Sequence, residues 1–292
     1  MKKISSIILS ALSLVCCGNP ESCVLGNLDI YEEFASQHFT PRTVRVWTPA
    51  DYSPAQKYDV IYMHDGQNLF DSSITWNRQE WGVDECLSEL MASGSVRPCI
   101  VVGIDNLSEI RYEEYYPTAI CSTVPEGVLP KGFKPLGDEY LRFIVEEVKP
   151  FVDNKYSTWG DAEHTFVAGS SCGGLISSYA LCEYPEVFGG AACLSTHCSL
   201  MNPHTPVDQQ PAADAYLEYL RQNLPSDRLL YMDRGDCPID MEYAEPQEAI
   251  NQLIGSLGWP DGQYMYKFFP GQSHSENDWR SRLDIPVRFL LK

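Results

Sequence analysis

The chain is poor in positive charge. Its 292 residues include 21 Lys and Arg against 40 Asp and Glu, which gives a formal net charge of −19 at pH 7. This balance argues against a protein that binds nucleic acid or an anionic membrane surface, because both functions need clustered positive charge. Hydrophobic residues make up 44% and charged residues 21%. These values are typical of globular proteins and exclude extended disorder, collagen and coiled coil for most of the chain.

No hydrophobic run is long enough to cross a bilayer. The apolar stretch from Ile4 to Val15 has twelve residues, includes four serines and follows two lysines. This pattern predicts an export signal over residues 1–22. The cysteine after the run resembles that of a bacterial lipoprotein signal with Cys17 lipidated, although Cys16 replaces the usual small residue before the cut. We therefore expect an exported protein, periplasmic or in the outer membrane and tethered through Cys17, with a soluble secreted protein as the alternative.

The chain also lacks a Cys-x-x-Cys pair, although it contains 11 cysteines. Removal of the signal and lipidation of Cys17 would leave nine, so at least one thiol has no partner within the chain. Export permits disulfides, but the sequence does not assign them. Because no metal-ligand spacing is present, we expect no structural metal and no cofactor.

Internal repeats, low-complexity tracts and long linkers are absent, so residues 23–292 are expected to form one domain. Short apolar runs alternate with amphipathic stretches, and several runs are continuous, as in strands covered on both faces. This order predicts an α/β fold with a mostly parallel central sheet, helices on both faces and a ligand site at the carboxyl ends of the strands. The predicted strands are 44–48, 59–64, 98–104, 165–169, 190–195, 228–233 and 264–269, and the predicted helices are 83–92, 138–154, 172–181, 213–222, 247–257 and 279–291.

The most informative motif is Gly-x-Ser-x-Gly, formed by Gly169, Ser171 and Gly173 between a predicted strand and a predicted helix. The serine at such a turn is held in a strained conformation, and the residues at −2 and +2 must be tiny. Ser171 is therefore the candidate nucleophile. The alternatives are a glycine-rich turn without chemistry, the Ser170 hydroxyl, which lacks flanking glycines, and the Cys172 thiol, whose position better suits donation of a backbone N–H.

A serine nucleophile needs a base to take its proton. In α/β hydrolases the acid and then the histidine follow the serine, with the histidine after the last strand. His274 is the only histidine in that place, whereas His197 comes too early. The acid should follow the penultimate strand, where Asp233, Asp236 and Asp240 are candidates. We prefer Asp240, and the alternative is a carboxylate that only caps the next helix.

Two backbone N–H groups should stabilise the oxyanion of a tetrahedral intermediate. One would come from Cys172, directly after the nucleophile. The other should come from the loop after the strand that ends at His64. Gly66 is expected to allow a turn in which the Gln67 amide faces the site.

The chain resembles the putative-esterase family of α/β hydrolases, which includes esterase D, enterochelin esterase and feruloyl or acetyl-xylan esterases. The resemblance covers roughly residues 40–292 and implies the α/β-hydrolase fold. Its segments are His64 to Asp71, Trp76 to Asp84, Arg111 with Tyr116-Pro117, the Ser171 elbow, Asp233-x-Gly235 with Ile239-Asp240 and Tyr243, and His274-x-Glu276-x-x-Trp279-x-x-Arg282.

The resemblance implies that Ser171 is the nucleophile, His274 the base, and Gln67 and Cys172 the amide donors. Two departures matter. The family commonly has Met at the position of Cys172, which is harmless to a backbone contact. The loop after Gly235 reads Asp-Cys-Pro where the family often has Thr and an acidic residue, which favours Asp240 as the acid.

The leading hypothesis is an exported serine carboxylesterase that forms an acyl-enzyme from an ester on a carbohydrate or a siderophore-like molecule. The alternatives are an acyltransferase with the same triad and a binding lipoprotein with an inactive site. Trp76, Trp81, Tyr115 and Tyr116 are candidates to stack on sugar or phenolic rings, although packing in the core explains each of them equally well.

Overall fold

The computed structural model describes residues 24–199 and 210–292. The predicted export signal, the candidate lipidation site Cys17 and the cysteine at position 23 therefore lie outside the described residues. Within the described ranges no helix has the length and apolarity needed to cross a membrane. The eight cysteines of these ranges are all free.

The centre of the fold is a sheet whose eight strands run in the order β1-β2-β4-β3-β5-β6-β7-β8. The strands β3 to β8 pair in parallel, whereas β2 is antiparallel to both of its neighbours. The predicted mostly parallel sheet is therefore confirmed. The strands are β1 (Asn27–Phe34), β2 (Arg42–Thr48), β3 (Asp59–His64), β4 (Cys99–Ile104), β5 (Thr165–Ser170), β6 (Gly190–Leu194), β7 (Leu229–Arg234) and β8 (Tyr264–Phe268).

Helices cover both faces of this sheet. The stretch predicted as the helix 138–154 is observed as three segments in direct succession: an α-helix (Gly137–Arg142), a π-helical segment (Phe143–Val148) and a second α-helix (Lys149–Lys155). The helices are α1 (Val83–Ala92), α2 (Arg111–Tyr115), α3 (Thr118–Cys121), α4 (Gly137–Arg142), α5 (Lys149–Lys155), α6 (Cys172–Glu183), α7 (Gln210–Asn223), α8 (Ala244–Leu257), α9 (Glu276–Arg280) and α10 (Asp284–Leu290).

The continuous apolar runs are explained by two hydrophobic layers, one on each face of the sheet. Along β3, Val60 and Tyr62 pack into one layer, and Ile61 and Met63 into the other. Side chains of a strand alternate between faces, so a strand with both faces covered must be apolar at every position.

Other parts of the fold also differ from the prediction, and the short helices α2 and α3 are among the elements that the sequence did not predict. The edge strand β1 was not predicted, because its mostly exposed, acidic sequence shows no apolar pattern. The predicted last helix, 279–291, is two helices, α9 and α10. Pro286 would clash with the carbonyl of Arg282 in a continuous helix, and it is instead accommodated in the first turn of α10.

Candidate active site

Ser171 lies at the sharp turn between β5 and α6, at the carboxyl edge of the sheet. Its φ of 58° and ψ of −123° give the strained backbone that the motif predicts. A Cβ atom on Gly169 would lie 2.9 Å from the backbone of Gly173, so the position two residues before the serine requires glycine. The amide of Ser171 donates to the Leu194 carbonyl at 2.9 Å, which anchors the turn to the end of β6.

His274 follows β8 and contacts a buried carboxylate. Its Nδ1 lies 2.6 Å from Oδ1 of Asp240, which is fully buried in a short turn after β7. Burial opposes the charge of this carboxylate, but hydrogen bonds from His274, Ser195 and the Gly235 amide outweigh it and hold the pKa of Asp240 below its ordinary value. The structure thus places an ionised carboxylate on Nδ1 of the imidazole, which leaves Nε2 as the basic nitrogen.

The other two candidate acids have different partners. Asp233 is buried and pairs with Arg282 at 2.9 Å. Asp236 accepts the amide N–H of Gly271 at 2.7 Å. Of the three candidates that the sequence left open, Asp240 is the carboxylate that contacts His274.

Ser195, which sequence analysis did not single out, connects this carboxylate to the buried ion pair. Its hydroxyl donates to Oδ2 of Asp240 at 2.6 Å and accepts from Nε1 of Trp279 at 3.1 Å and from Nη2 of Arg282 at 2.9 Å. Ser195 is fully buried and directly follows β6. The end of this strand was predicted to border the site, but no local motif marks the hydroxyl.

The turn after β3 positions the first of the two predicted amide donors. Asp65 is the left-handed residue of this turn, with φ of 57°. Gly66 is needed for its small size, since a Cβ atom there would lie 2.6 Å from the backbone of Gly103. Within the described residues, the amides of Gln67 and Cys172 donate to no backbone or side-chain acceptor. Both N–H groups therefore remain available for an oxyanion.

The side chain of Asp65 fixes this turn. It accepts two hydrogen bonds from Arg111, each of 2.8 Å, and a third from Asn106 at 2.6 Å. Burial alone would raise the pKa of Asp65, but the Arg111 guanidinium outweighs it and lowers the pKa. The neighbouring His64 bonds to the Tyr140 hydroxyl, and burial lowers its pKa to about 3. His64 is therefore neutral at ordinary pH and packs in the core.

The Cys172 side chain is poorly suited to the alternative of a thiol nucleophile. It is buried, and this burial raises the pKa of the thiol despite the nearby Arg111 guanidinium. Thiolate, and not thiol, is the reactive form of cysteine. The position of Cys172 at the start of α6 leaves its backbone N–H as the useful group.

Ser171, Cys172, Gln67 and His274 share one cavity of about 760 Å³. Two of the four aromatic candidates, Trp76 and Trp81, also line it. Tyr115 and Tyr116 are buried in the core and do not line it. The lining residues are Asp65, Gln67, Asn68, Trp76, Asn77, Gln79, Trp81, Asn106, Ser108, Arg111, Tyr112, Ser170, Ser171, Cys172, His197, Ile239, Tyr243, His274, Ser275, Glu276 and Trp279.

The sheet order and the strand–serine–helix turn define an α/β hydrolase, and the protein is an enzyme of the carboxylic ester hydrolase class. The family model described as "Putative esterase" matches residues 37–290, and the chain belongs to this family. The resemblance that the motifs indicated is thereby confirmed.

Individual relatives are more distant. The chain is 28% identical over 224 residues to the uncharacterized protein YjcH of Bacillus subtilis, covering 73% of this chain and 77% of YjcH. A solved ferulic acid esterase is similar with a TM-score of 0.68 and 18% identity, covering 92% of this chain and 98% of that one. The enterobactin esterase of Shigella flexneri has a TM-score of 0.64 and 18% identity, covering 92% of this chain and 59% of the other. Likeness at this identity shows the fold alone.

Proposed function

We propose that this protein is an exported serine carboxylesterase that hydrolyses an ester on a carbohydrate or siderophore-like molecule. The observation that carries the proposal is the 2.6 Å contact between His274 and the buried Asp240, in a protein whose strained Ser171 lines the same cavity as His274. The named activities of the two esterases of similar fold support the substrate class. Export and a membrane tether through Cys17 rest on the N-terminal sequence pattern.

The proposed acylation uses each of the assembled groups. The Ser171 hydroxyl oxygen attacks the ester carbonyl carbon while its proton passes to Nε2 of His274. Asp240 holds the tautomer with the proton on Nδ1 and stabilises the imidazolium that forms. The amides of Gln67 and Cys172 donate to the oxyanion, and each such donor typically contributes about 3 kcal/mol to lowering the barrier.

Acylation ends when the carbon–oxygen bond of the ester breaks: the alcohol leaves with the proton from Nε2, and Ser171 stays acylated. In the second half of the reaction water attacks the acyl carbon while His274 takes its proton. The bond between the acyl carbon and Oγ of Ser171 then breaks, Nε2 returns the proton to Oγ, and the acid is released. An acyltransferase would use an alcohol in place of this water, and analysis of the products with added alcohol acceptors distinguishes the two outcomes.

The test combines a panel of small esters with labelling by a fluorophosphonate. Ser171→Ala is expected to lower kcat by about 10³-fold or more and to abolish labelling. The matched control is Ser226→Ala, an exposed serine in the loop before β7, which should behave as the wild type. Equal turnover by the wild type and Ser171→Ala, or no labelling of the wild type, would refute the proposal.

A further inference from the structure

The cavity extends beyond the nucleophile to a wall formed by Trp76, Asn77, Gln79 and Glu276. We propose that this wall, together with the neighbouring Asn68, binds a sugar ring in the alcohol part of the ester. The inference rests on the proposed esterase function and narrows its substrate to a carbohydrate ester. The sugar is released as the alcohol when the acyl group passes to Ser171.

The first argument is a nearly buried carboxylate without a cation. Glu276 is 8% exposed, and within the described residues it forms no ion pair. Its two oxygens accept from the amide groups of Asn68 at 3.3 Å and Asn77 at 2.7 Å. A carboxylate has about four acceptor positions. Two amide donors thus hold this group and leave acceptor capacity for hydrogen-bond donors of a ligand.

The second argument is an acceptor that lacks a donor. Asn68 is also 8% exposed, and its Oδ1 has no hydrogen-bond partner within the described residues. Buried polar atoms are nearly always hydrogen-bonded, so each exception calls for an explanation. An unpaired oxygen in a residue that lines the cavity and holds Glu276 indicates a ligand that brings several donors.

The third argument is a solvent-exposed aromatic ring. Trp76 is 86% exposed although it lines the cavity. Trp81, on the same cavity, is instead buried and stacked on Trp279 at 5.4 Å between ring centroids. An indole ring combines a broad apolar face with a polar edge. Trp76 therefore offers a free apolar surface beside a row of hydrogen-bonding groups.

These features together favour a neutral polyol. Asp65 and Arg111 also line the cavity, and their charges are paired with each other, which leaves Glu276 as the unpaired charge among the lining acids. Five primary amides line the cavity: Gln67, Asn68, Asn77, Gln79 and Asn106. A sugar ring presents several hydroxyl donors around its edge and C–H groups on its face, so it matches both the amide–carboxylate wall and the indole. An ammonium group would match the carboxylate and the indole but would leave the amides unused.

The experiment measures selectivity, defined as the ratio of kcat/KM for an acetylated methyl glucoside to that for 4-nitrophenyl acetate. Trp76→Ala and Glu276→Gln are each expected to lower this ratio by about tenfold, mainly through the KM of the glucoside. The matched control is Trp159→Ala, an exposed tryptophan that stacks on His164 away from the cavity, which should keep the wild-type ratio. A ratio within twofold of the wild type in both cavity variants would overturn the proposal.

Two further arms separate this inference from its alternatives. Acetylcholine and its neutral isostere 3,3-dimethylbutyl acetate test for an ammonium subsite, and a loss of discrimination between them in Glu276→Gln, with the glucoside unaffected, would refute the sugar site. Saturation-transfer NMR of Ser171→Ala with methyl glucoside tests binding without chemistry, and its signal should vanish when Trp76→Ala is added. If the wild type cleaves no ester and is not labelled by the fluorophosphonate, the proposed function fails. The NMR binding result still shows in that case whether the cavity binds a sugar.

Discussion

The hydroxyl of Ser195 offers the sharpest test of how the proposed acid, Asp240, is positioned. Ser195→Ala removes the hydrogen bond to Oδ2 of Asp240 and leaves the donors of Trp279 and Arg282 without their shared acceptor. The carboxylate keeps only the Gly235 amide on that oxygen. We expect Asp240 to hold the imidazole less firmly and to become easier to protonate.

The size of the effect follows from the contacts that are lost. A hydrogen bond to an ionised group contributes about 1.5–3 kcal/mol. If this difference is expressed in the transition state, where Asp240 faces an imidazolium, kcat falls roughly 10- to 150-fold. Arg282 keeps its hydrogen bonds to Asp233, but the Trp279 N–H loses its acceptor. A buried donor without an acceptor costs about 1–3 kcal/mol, so the melting temperature falls as well. KM should change little, because Ser195 does not line the cavity.

The pH dependence separates positioning from a general loss of stability. The Ser195 hydrogen bond helps to lower the pKa of Asp240, so its removal raises that pKa. A lowered carboxyl pKa stabilises the folded state above the unfolded value of about 3.9, and this contribution is lost as the pH falls through the folded pKa. The destabilisation by Ser195→Ala is therefore expected to be largest near pH 7 and to shrink below about pH 4.

The assay is kcat and kcat/KM for 4-nitrophenyl acetate between about pH 4 and 9, together with urea unfolding between about pH 2 and 9, a range that covers the titration of the carboxylate. The matched control is Ser178→Ala, another buried serine, whose hydroxyl bonds to the Leu175 carbonyl and the Tyr216 hydroxyl. This control should lose stability without a change in the pH profile. If Ser195→Ala matches Ser178→Ala in both kcat and the profile, Ser195 does not position the acid.

Two further predictions concern the start of α1 and the nucleophile turn. Burial, followed by the adjacent Glu85 carboxylate, raises the pKa of Asp84 to about 7. The free energy of unfolding should therefore fall as the pH rises from about 4 to 7. Asp84→Asn should remove this fall and raise the free energy of unfolding by roughly 2–4 kcal/mol at pH 8. A difference between the variant and the wild type in urea unfolding that does not change with pH would contradict this. Gly169→Ala should displace the turn and slow fluorophosphonate labelling at least about 100-fold. The control is Gly255→Ala in α8, where the added Cβ atom meets open space, so this variant should label normally and gain up to about 1 kcal/mol in folding stability. Normal labelling of both variants would refute the packing argument.

The sequence predicts the parts of this molecule that depend on local physics. Seven strands were found within two residues of their bounds, because a strand with both faces covered needs an unbroken apolar run. The nucleophile turn was also predictable, since its geometry excludes a Cβ atom at Gly169. The edge strand β1 was missed because its exposed residues need no pattern. Only the structure separates the aromatic candidates that line the cavity from those that pack in the core, because burial depends on packing partners far along the chain.

The choice among three neighbouring carboxylates shows where local signals stop. Asp233, Asp236 and Asp240 lie on one short segment, and each is a plausible acid by chain order. Contacts with the loop before His274 separate them: the amides of Asp236 and Cys237 both donate to the Gln272 carbonyl, at 3.1 and 3.2 Å. This pairing holds the segment so that its backbone turns Asp240 toward the imidazole.

The same argument explains why the sequence does not identify Ser195 as a site residue. Its hydroxyl gains its role from partners 45, 84 and 87 residues away in the chain. Nothing in its own neighbourhood distinguishes it from Thr196 or Ser199, which are also buried hydroxyl residues near the end of β6. A nucleophile is recognisable from sequence because its strain is local, whereas the support of a catalytic acid is distributed over elements that meet only in the folded protein. The residues most worth mutating beyond the proposed triad are therefore those that join β6, β7 and α9, and Ser195 is the one in contact with the proposed acid, Asp240.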